Sequence, residues 1–439
     1  MRLAQRRARQ LTICAAVSSV LLALAACAPS ESLAGDTDPP ASPSDDGSQS
    51  PAEPSAEAIE LKVGVLAPMT GFVSAIGTDL KQGWEMFWDE HGTSVGAFEI
   101  TTVLEDDASS PETALSKAQR LVTEEKVDVV LGPVLANQAL AVADYLARQE
   151  VPNLSMSSAD DVTQRNFSPF VLRTGAMAGS QMTFPGGQWA YEEGYRTAAT
   201  LCVDYAFGWE SCGGFVSAFV DAGGEVTQQL WYPGDASDLS TYVTQLLNAD
   251  VDVIFAGTAG GTDSSNFLRS AADFGLLDKT PVLSNCCTLD QAIIQDVGDI
   301  SLGVKSVSFY TEGADRVADF VAKFEERYGV IPSLYAIGAY VSGQMLVAAL
   351  EDLDAKPSGE DLVAAMKGAD LSGSLWGDVS FDEYNNLVGP VAIREVVARE
   401  DGKLWNVVIE EIPDVSQFWT FDPAEFLDSP PFSTTRTGQ

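Results

Sequence analysis

Two adjacent cysteines, Cys286 and Cys287, are the residues whose type and spacing most directly suggest chemistry. Neighbouring thiols can bind a metal ion, act as a catalytic dithiol, or form part of a wall that touches a ligand. A zinc site would need further thiols or histidines at workable spacing, and the sequence has a single histidine, His91. A redox C-x-x-C pair is absent from the sequence as well. We therefore expect neither a metal site nor dithiol catalysis at this pair.

Two glycine-rich stretches resemble functional patterns, but the first stands in the wrong context and the second lacks the required spacing. Residues 92–96, Gly-Thr-Ser-Val-Gly, fit the G-x-S-x-G pattern of a nucleophile elbow, which must follow a strand and open a helix. Here the pattern follows a predicted helix and precedes a predicted strand, and His91 beside it suits a packing role at the helix end. Residues 257–261 follow a predicted strand but lack G-x-G-x-x-G and G-K-[ST] spacing. The sequence therefore predicts no serine hydrolase, no nucleotide site and no cofactor.

The elements that must position a site appear in the hydrophobic pattern. Short apolar runs such as LKVGVLAP and VDVVLGP recur, each followed by a loop and a helical pattern. The second predicted helix opens at residues 110–112, Ser-Pro-Glu, and the third spans residues 135–148. The first has a one-sided apolar stripe formed by Leu80, Trp84, Phe87, Trp88 and His91. Strands alternating with helices in this number predict an α/β fold with two parallel sheets covered on both faces.

The loops that follow the predicted strands are the candidate ligand contacts. In proteins with parallel sheets, ligands bind outside the carboxyl ends of the strands, where such loops lie. The candidate loops are residues 68–74, 134–138, 155–160, 205–209, 258–261, 285–287 and 310–312. Two sheets with facing loops of this kind predict a binding cleft between two domains.

The amino terminus predicts export. Residues 1–10 contain four arginines and no acid, and an apolar run follows over residues 11–26. A basic head, an apolar run of this length and small residues before a cleavage site are typical of a signal peptide, here residues 1–26. The sequence LAAC at residues 24–27 resembles the lipobox of bacterial lipoproteins, which implies cleavage before Cys27 and lipid on its thiol. An ordinary signal peptide with an incidental cysteine is the alternative.

The composition after the leader predicts a tether and then globular domains. Residues 27–58 are rich in Pro, Ser, Asp, Glu, Gly and Ala, with Leu33 as the only large aliphatic residue. Such a segment cannot bury enough apolar surface to fold, so we predict a disordered tether. The remaining chain is long enough for two domains. The net charge of −38 repels phosphate backbones, which excludes nucleic acid as a partner.

Four cysteines remain after the leader and its predicted lipid anchor. An even number in an oxidising compartment suggests disulfides, and four cysteines allow three pairings. The spacing of Cys202 and Cys212 suits a strand end bonded to the start of the next helix, which would leave Cys286 and Cys287 for each other. A bridge between adjacent cysteines would form a rigid apolar wall of the cleft. Two buried free thiols, or a bridge to Cys202 or Cys212, are the alternatives.

Several stretches follow one another in a recognisable order. The first are LKVGVLAPMTGFVSAIGTDLKQGWEMFWDE, LEDDASSPETALSKAQRLVTEEKVDVVLGP, PNLSMSSAD and PFVLRTG. They are followed by DYAFGWESCGGF, DAGGEV, VDVIFAG and the long helical segment FVAKFEERYGVIPSLYAIGAYVSGQMLVAAL. In this order they resemble the type I periplasmic binding proteins, in the branch that serves branched-chain amino acids, amides and related solutes. The resemblance covers roughly residues 59–412.

This resemblance implies two Rossmann-like lobes with parallel sheets, joined by three hinge crossings, with the ligand cleft between them. The hinges would fall near residues 175–180, 306–310 and 353–358. Lobe 1 would comprise residues 59–178 and 308–355, and lobe 2 residues 179–307 and 356–412, followed by a C-terminal tail at 413–439.

The resemblance also implies a receptor without catalytic activity. Such a protein, as a monomer, closes its lobes on a small solute and hands it to a membrane permease of an ABC importer. A lipid anchor on Cys27 would tether it to the outer face of the cell membrane. A ligand-sensing lipoprotein on the same fold, reporting to a membrane signalling partner, is the alternative.

The substrate contacts of the family are only partly present in this chain. Amino-acid binders of the family hold the substrate carboxylate with hydroxyls and backbone amides, and pair the ammonium with a carboxylate at the strand end that here reads LSNCC. Ala136 and Ala159 stand where hydroxyls are usual, Phe207 replaces a tyrosine, and Cys286 lies near the place of that carboxylate.

An ammonium without a counter-charge is costly in a closed cleft. The sequence therefore favours an amide-like or aromatic solute over a plain aliphatic amino acid, although Asp160 or Glu312 could supply the missing charge to an amino-acid-like solute. The predicted ligand-binding residues are Phe72, Asn137, Ser157, Ser158, Phe207, Trp209, Cys286, Cys287 and Tyr310.

Overall fold

The computed structural model describes residues 58–234 and 236–438. The predicted signal peptide, Cys27 and the predicted tether up to residue 57 lie outside the described residues.

The strands, in chain order, are β1 (Ile59–Ala67), β2 (Ser94–Val95), β3 (Phe98–Asp106), β4 (Val129–Leu131), β5 (Asn153–Ser155), β6 (Val171–Arg173), β7 (Thr197–Val203), β8 (Glu225–Tyr232), β9 (Val253–Gly257), β10 (Val282–Ser284), β11 (Lys305–Ser308), β12 (Ser380–Phe381), β13 (Leu387–Ala398) and β14 (Leu404–Val415). The α-helices are α1 (Ser74–His91), α2 (Pro111–Arg120), α3 (Ala136–Arg148), α4 (Phe184–Glu192), α5 (Ala206–Asp221), α6 (Ser240–Leu247), α7 (Thr262–Asp273), α8 (Leu276–Lys279), α9 (Gln291–Val297), α10 (Ala318–Tyr328), α11 (Leu334–Leu350), α12 (Gly359–Gly368) and α13 (Pro423–Asp428). Within the described residues, no helix combines the length and the apolar character that crossing a membrane requires.

The first sheet has six strands in the order β2-β3-β1-β4-β5-β6, and all its neighbours are parallel except β2 and β3. Its strands β4, β5 and β6 are fully buried because helices cover both faces of the sheet. Leu66 of β1 packs with residues of α2 and α3, whereas Val63 and Val65 of the same strand pack with residues of α1 and α11. This sheet and these helices form lobe 1.

The second sheet has eight strands in the order β12-β13-β11-β10-β9-β7-β8, with β14 paired to β13. Strands β7 to β11 are parallel, whereas β13 is antiparallel to β11, β12 and β14. The predicted α/β fold with parallel sheets is therefore confirmed except at the short strand β2 and at the last strands. There, a turn in which the Arg399 N–H donates to the Lys403 carbonyl (2.7 Å) joins β13 to β14, and so short a connection permits only antiparallel pairing.

The three helices predicted in the first lobe are confirmed as α1, α2 and α3. The Ser110 hydroxyl caps α2 by accepting from the Thr113 N–H at 3.3 Å. His91 is the last residue of α1, and its exposed ring stacks on Phe87 with centroids 5.4 Å apart, as its predicted packing role requires. Ser94 lies in the short strand β2 between α1 and β3, which is not the strand-to-helix turn of a nucleophile elbow.

The chain crosses between the lobes after β6, after β11 and after α12. The first two crossings lie where the sequence predicted hinges. The third was predicted too early, near residues 353–358, because α12 packs on β6 and α11 of lobe 1 and buries Leu362, Val363 and Met366. The apolar face of α12 thus keeps the chain in lobe 1 until the crossing that leads to β12.

The residues beyond the predicted boundary at 412 belong to lobe 2. Strand β14 continues to Val415, and α13 follows. Phe418, Phe426 and Phe432 are buried in one cluster with Phe184 of α4. The predicted C-terminal tail is therefore an ordered part of lobe 2, held by aromatic packing.

The crossing of α1 and α11 generates a prediction for stability. A Cβ atom on Gly83 of α1 would overlap the carbonyl oxygen of Ala336 in α11. Overpacking of this kind costs about 1–3 kcal/mol, so Gly83→Ala should lower the denaturant midpoint even though alanine favours helices. Gly368→Ala makes the same change at the exposed end of α12, where a Cβ meets nothing within 4 Å, and should not destabilise. Equal midpoints for the two variants would show that α1 and α11 do not pack this closely.

Candidate functional site

A small cavity lies where loops at the carboxyl ends of the two sheets meet. Its volume is about 20 Å³, which is room for about one water molecule. Lobe 1 and the crossing after it contribute Val134, Leu135, Ala136, Met156, Ser158, Ala176, Leu334 and Tyr335. Lobe 2 contributes Tyr205, Phe207, Ala259, Cys286 and Cys287. An organic solute can therefore enter only when the lobes move apart.

Four of the nine predicted ligand-binding residues line this cavity, namely Ser158, Phe207, Cys286 and Cys287. Three others lie around it without lining it. Phe72 stands on the rim with 52% of its surface exposed, and its carbonyl faces Gly261 of lobe 2. Asn137 is exposed on α3. Ser157 is fully buried, and its hydroxyl accepts from the Ala159 N–H at 3.2 Å.

The two remaining predicted residues, Trp209 and Tyr310, serve packing roles outside the cavity lining. The indole Nε1 of Trp209 donates to the Asp204 carboxylate at 2.8 Å, and its ring packs on the C-terminal aromatic cluster. The Tyr310 hydroxyl donates to the Pro332 carbonyl at 3.1 Å. Both side chains have hydrogen-bond partners, and neither lines the cavity.

Tyr335, at the start of α11, lines the cavity from lobe 1 and was not among the predicted ligand-binding residues. The chain delivers it after the second crossing, from a helix start rather than from a strand-to-helix loop. The Ser333 hydroxyl caps α11 by accepting from the Tyr335 N–H at 3.2 Å. A serine before a long apolar helix was the signal that could have placed Tyr335 at a helix start.

Three aromatic side chains, from both lobes, form part of the otherwise mostly aliphatic walls of the cavity. Tyr205 and Phe207 come from lobe 2, with ring centroids 6.5 Å apart, and Tyr335 comes from lobe 1. Burial raises the pKa of the Tyr205 and Tyr335 hydroxyls, so both stay protonated at neutral pH. The walls therefore offer flat apolar surfaces with neutral hydroxyl groups.

Two helix N-termini border the cavity, one from each lobe. The N-cap residues, Leu135 of α3 and Tyr205 of α5, make no side-chain cap hydrogen bond. Both residues line the cavity, as do Ala136 and Phe207 in the first turns. First-turn N–H groups and the helix dipole favour an anion at such a place. The site is therefore suited to a carboxylate attached to an aromatic body.

A buried arginine holds the lobe 1 loop of the cavity. Arg173, at the end of β6, is fully buried and donates to the backbone carbonyls of Ser157 and Ala159, the latter at 2.7 Å. It also donates to Asn386 of lobe 2 at 2.7 Å. Burial lowers the pKa of Arg173 to about 10, so it remains a cation at neutral pH. The loop that presents Met156 and Ser158 is thereby fixed from behind.

A second buried arginine holds the lobe 2 loop in the same way. Arg394 of β13 is 1% exposed and donates to the carbonyls of Cys286 at 2.7 Å and Tyr310 at 2.9 Å. Its guanidinium lies 3.7 Å from the Glu312 carboxylate. Glu312 also accepts from the Asn406 N–H at 2.8 Å and does not line the cavity. It is therefore engaged with lobe 2 rather than available to a solute.

Asp160, the other candidate for a counter-charge, is also buried outside the cavity lining. Its carboxylate accepts from the Ser180 N–H at 3.0 Å, and the Glu210 carboxylate of lobe 2 accepts from the Asp160 N–H at 3.0 Å. Burial raises the pKa of Asp160 to about 6 and raises that of Glu210 well above its ordinary value. This carboxyl pair belongs to the contact between the lobes.

A second carboxyl pair spans the lobes beside the cavity. Asp79 lies on α1 of lobe 1, and Asp290 caps α9 of lobe 2 by accepting from the Ala292 N–H at 3.2 Å. Burial, followed by the charge of Asp79, raises the pKa of Asp290 to about 7. Burial raises the pKa of Asp79 to about 6. Contact between the lobes thus disfavours ionisation of both groups.

The four cysteines within the described residues form one disulfide rather than two. Cys202 at the end of β7 is bonded to Cys212 of α5, one of the pairings that the sequence left open. Cys286 and Cys287 are free thiols with sulfur atoms 3.3 Å apart, so the predicted bridge between them is wrong for this structure. Disulfide sulfurs lie about 2.05 Å apart, and the rigid peptide bond between adjacent residues opposes so close an approach.

Comparison with known proteins finds one matching family and several similar proteins. Residues 60–403 match the family described as periplasmic binding protein. The chain is 28% identical over 359 residues to Leu/Ile/Val-binding protein homolog 6 of Brucella abortus (strain 2308), which covers 80% of this chain and 91% of that protein.

Solved structures with bound aromatic acids are also similar to this chain. One is a solute-binding protein of an ABC transporter from Rhodopseudomonas palustris BisB5 in complex with 3,4-dihydroxybenzoic acid. It is 29% identical with a TM-score of 0.77, covering 82% of this chain and 98% of that one. Another, from Rhodopseudomonas palustris HaA2 in complex with p-hydroxybenzoic acid, is 26% identical with the same TM-score and coverage.

The carboxyl pair beside the cavity predicts a pH dependence of stability. Because the folded pKa of Asp290 (about 7) exceeds its ordinary value, the folded protein binds a proton more tightly than the unfolded chain does. Its stabilising contribution is therefore present below about pH 4 and is lost as the pH rises to about 7. Asn can replace Asp as a helix cap without ionising, so Asp290→Asn should flatten this decline, measured as melting temperature against pH. Asp422→Asn, at the exposed cap of α13, should leave the slope as in the parent, and a parental slope in Asp290→Asn would contradict the assignment.

Proposed function

We propose that this chain, which belongs to the periplasmic binding protein family, binds a small aromatic carboxylic acid between its lobes and delivers it to an ABC permease. The family consists of extracytoplasmic solute-binding proteins rather than enzymes, so the predicted receptor class is confirmed. The two-lobed fold with mostly parallel sheets agrees with the type I members of the family.

The composition of the cavity supports an aromatic acid as the solute. Tyr205, Phe207 and Tyr335 provide flat walls, and Ala136, Ala176 and Ala259 leave space between them. The uncapped N-termini of α3 and α5 provide N–H donors for a carboxylate. Two similar proteins of known structure bind hydroxylated benzoic acids. The single observation that supports the proposal most strongly is the coincidence of aromatic walls with two helix N-termini.

The same lining argues against an aliphatic amino acid. The residues that line the cavity include no Asp or Glu, so a bound ammonium would have no carboxylate in contact with it. Burying such a cation without a partner is strongly unfavourable. The two carboxylates that the sequence offered as counter-charges, Asp160 and Glu312, accept hydrogen bonds elsewhere. An amino acid would therefore bind less well than an acid that lacks the ammonium.

We further propose that the protein is a monomeric lipoprotein anchored through Cys27. The basic head, the apolar run at residues 11–26 and the small residues before Cys27 support this proposal. The tether of residues 27–58 would let the lobes reach a permease beside the anchor. An exported receptor fixed to the membrane surface keeps its solute close to the transporter that takes it up.

The proposed solute class is tested by calorimetric titration with 4-hydroxybenzoate, 3,4-dihydroxybenzoate, benzoate and L-leucine. At least one aromatic acid should bind and leucine should not. Phe207→Ala should weaken that binding at least about tenfold, or about 1.4 kcal/mol, because a buried aromatic wall is lost. Phe274→Ala removes a ring that is 49% exposed at the far end of α7 and should not change the affinity. Tight leucine binding, or an unchanged affinity in Phe207→Ala, would refute the proposal.

The proposed anchor is tested separately by cell fractionation. The parent protein should partition with membranes and carry lipid on its amino-terminal peptide by mass spectrometry. Cys27→Ala should release the protein from the membrane fraction or block its processing, because lipid needs the thiol. Cys14→Ala, a cysteine within the predicted signal peptide, should behave like the parent. Membrane retention and normal processing of Cys27→Ala would contradict the lipid anchor.

A further inference from the structure

The proposed function leaves two thiols in the cleft wall without a role. Cys286 and Cys287 follow β10, and both line the cavity. Their sulfur atoms lie 3.3 Å apart, and Cys286 Sγ contacts Met182 Sδ at 3.4 Å. Cys287 Sγ lies 3.5 Å from the Tyr335 hydroxyl of the opposite lobe. Cys287 is therefore part of the contact between the lobes, and both thiols face the cavity and would become accessible from solvent when the cleft opens.

The loop that presents the thiols is held in place by several hydrogen bonds. Arg394 donates to the Cys286 carbonyl at 2.7 Å. The Asn285 side chain donates to the Thr258 carbonyl at 3.0 Å and accepts from the Thr288 N–H at 3.1 Å. A pair fixed in this way loses little conformational entropy when one atom binds both sulfurs.

The spacing of the sulfurs fits one atom between them rather than a bond between them. A disulfide requires about 2.05 Å. A linear two-coordinate ion would instead hold its two sulfurs much further apart than 3.3 Å, at twice the length of one bond to sulfur. A pyramidal atom whose bonds stand at close to right angles brings two sulfurs to about the observed separation. Trivalent arsenic has this geometry.

We propose that Cys286 and Cys287 form a chelating site for trivalent arsenic compounds, and for aryl arsenicals in particular. In the reaction with an arylarsonous acid, ArAs(OH)₂, two As–O bonds break and two As–S bonds form. The two thiol protons leave with the two hydroxyl groups as two water molecules. The oxidation state of arsenic does not change, so no oxidant or reductant is needed.

The surroundings of the thiols suit this reaction. The hydrogen bond with Cys286, followed by burial, raises the pKa of Cys287, so this group enters the reaction as a thiol and its proton leaves with a departing hydroxyl group. Phe207 and Tyr335 line the cavity beside the sulfurs and would contact the aryl ring. The preference for an aryl group rests on the aromatic cavity of the proposed function, whereas chelation by the two thiols does not.

The test uses the purified protein, without added reductant, and phenylarsine oxide as the probe. We expect one phenylarsenic group per chain in the intact mass, with loss of two thiol hydrogens and mapping to the peptide that contains Cys286 and Cys287. Excess dithiol should remove it and excess monothiol should not. Cys287→Ser should retain the probe at least about a hundredfold less well, because attachment at two points exceeds attachment at one by about 10²–10⁴. Cys286→Ala provides the same comparison if the first variant is unstable.

The outcomes separate this proposal from the proposed function. Absence of an adduct on the native protein, or equal retention by both single-thiol variants and the parent, would overturn the dithiol site. An adduct in a protein that binds no aromatic acid would leave the dithiol site standing and refute the proposed solute. Inorganic arsenite tests the aryl preference: the parent should retain phenylarsine oxide at least about tenfold better, by the contribution of one buried ring. Equal retention of the two compounds would overturn that preference.

Discussion

The geometry of the cleft depends on two buried arginines that bind backbone rather than solute. Arg173 and Arg394 lie behind the two faces of the cavity, and each donates to carbonyl oxygens of a strand-to-helix loop. A buried cation is tolerable only when its hydrogen-bonding capacity is satisfied. Each arginine therefore requires its loop in one conformation, and that conformation sets the positions of Ser158, Cys286 and Cys287.

The same interaction explains why the cavity is neutral although the chain is strongly acidic. The guanidinium charges are met by carbonyl dipoles and by carboxylates behind the cavity, such as Glu312 at 3.7 Å from Arg394. Neither arginine lines the cavity, and no acid does. The groups that the cavity lining offers to a solute are aromatic faces, tyrosine hydroxyls and the N–H groups of helix N-termini. Such donors suit a carboxylate without adding a mobile charge to the site.

The sequence predicted the fold well because hydrophobic periodicity and helix caps are local signals. Alternating runs predicted both sheets, and the Ser-Pro-Glu start predicted α2. The predicted strand-to-helix loops supply ten of the thirteen lining residues. Their location could be predicted because all the loops that follow parallel strands lie at the same edge of the sheet, where ligands bind. The exceptions have physical causes. Tyr335 was missed because it reaches the cavity from the start of a helix that returns to lobe 1 after the second crossing. The third crossing was misplaced because its position depends on which lobe buries the apolar face of α12.

Individual side chains within those loops were harder to predict, because direction depends on tertiary partners. Ser157 and Ser158 are neighbours, yet only Ser158 lines the cavity, since the Ser157 hydroxyl accepts from a backbone N–H of its own loop.

The acidic residues that face each other across the cleft add a constraint on closure of the lobes. Asp79 with Asp290, and Asp160 with Glu210, face each other from opposite lobes, and burial raises all four pKa values. Contact between the lobes is therefore opposed by charge and favoured by the apolar lining. A solute larger than the 20 Å³ cavity would bury additional apolar surface between the lobes. It would drive closure only if it interacted more favourably with the closed arrangement than with the open one.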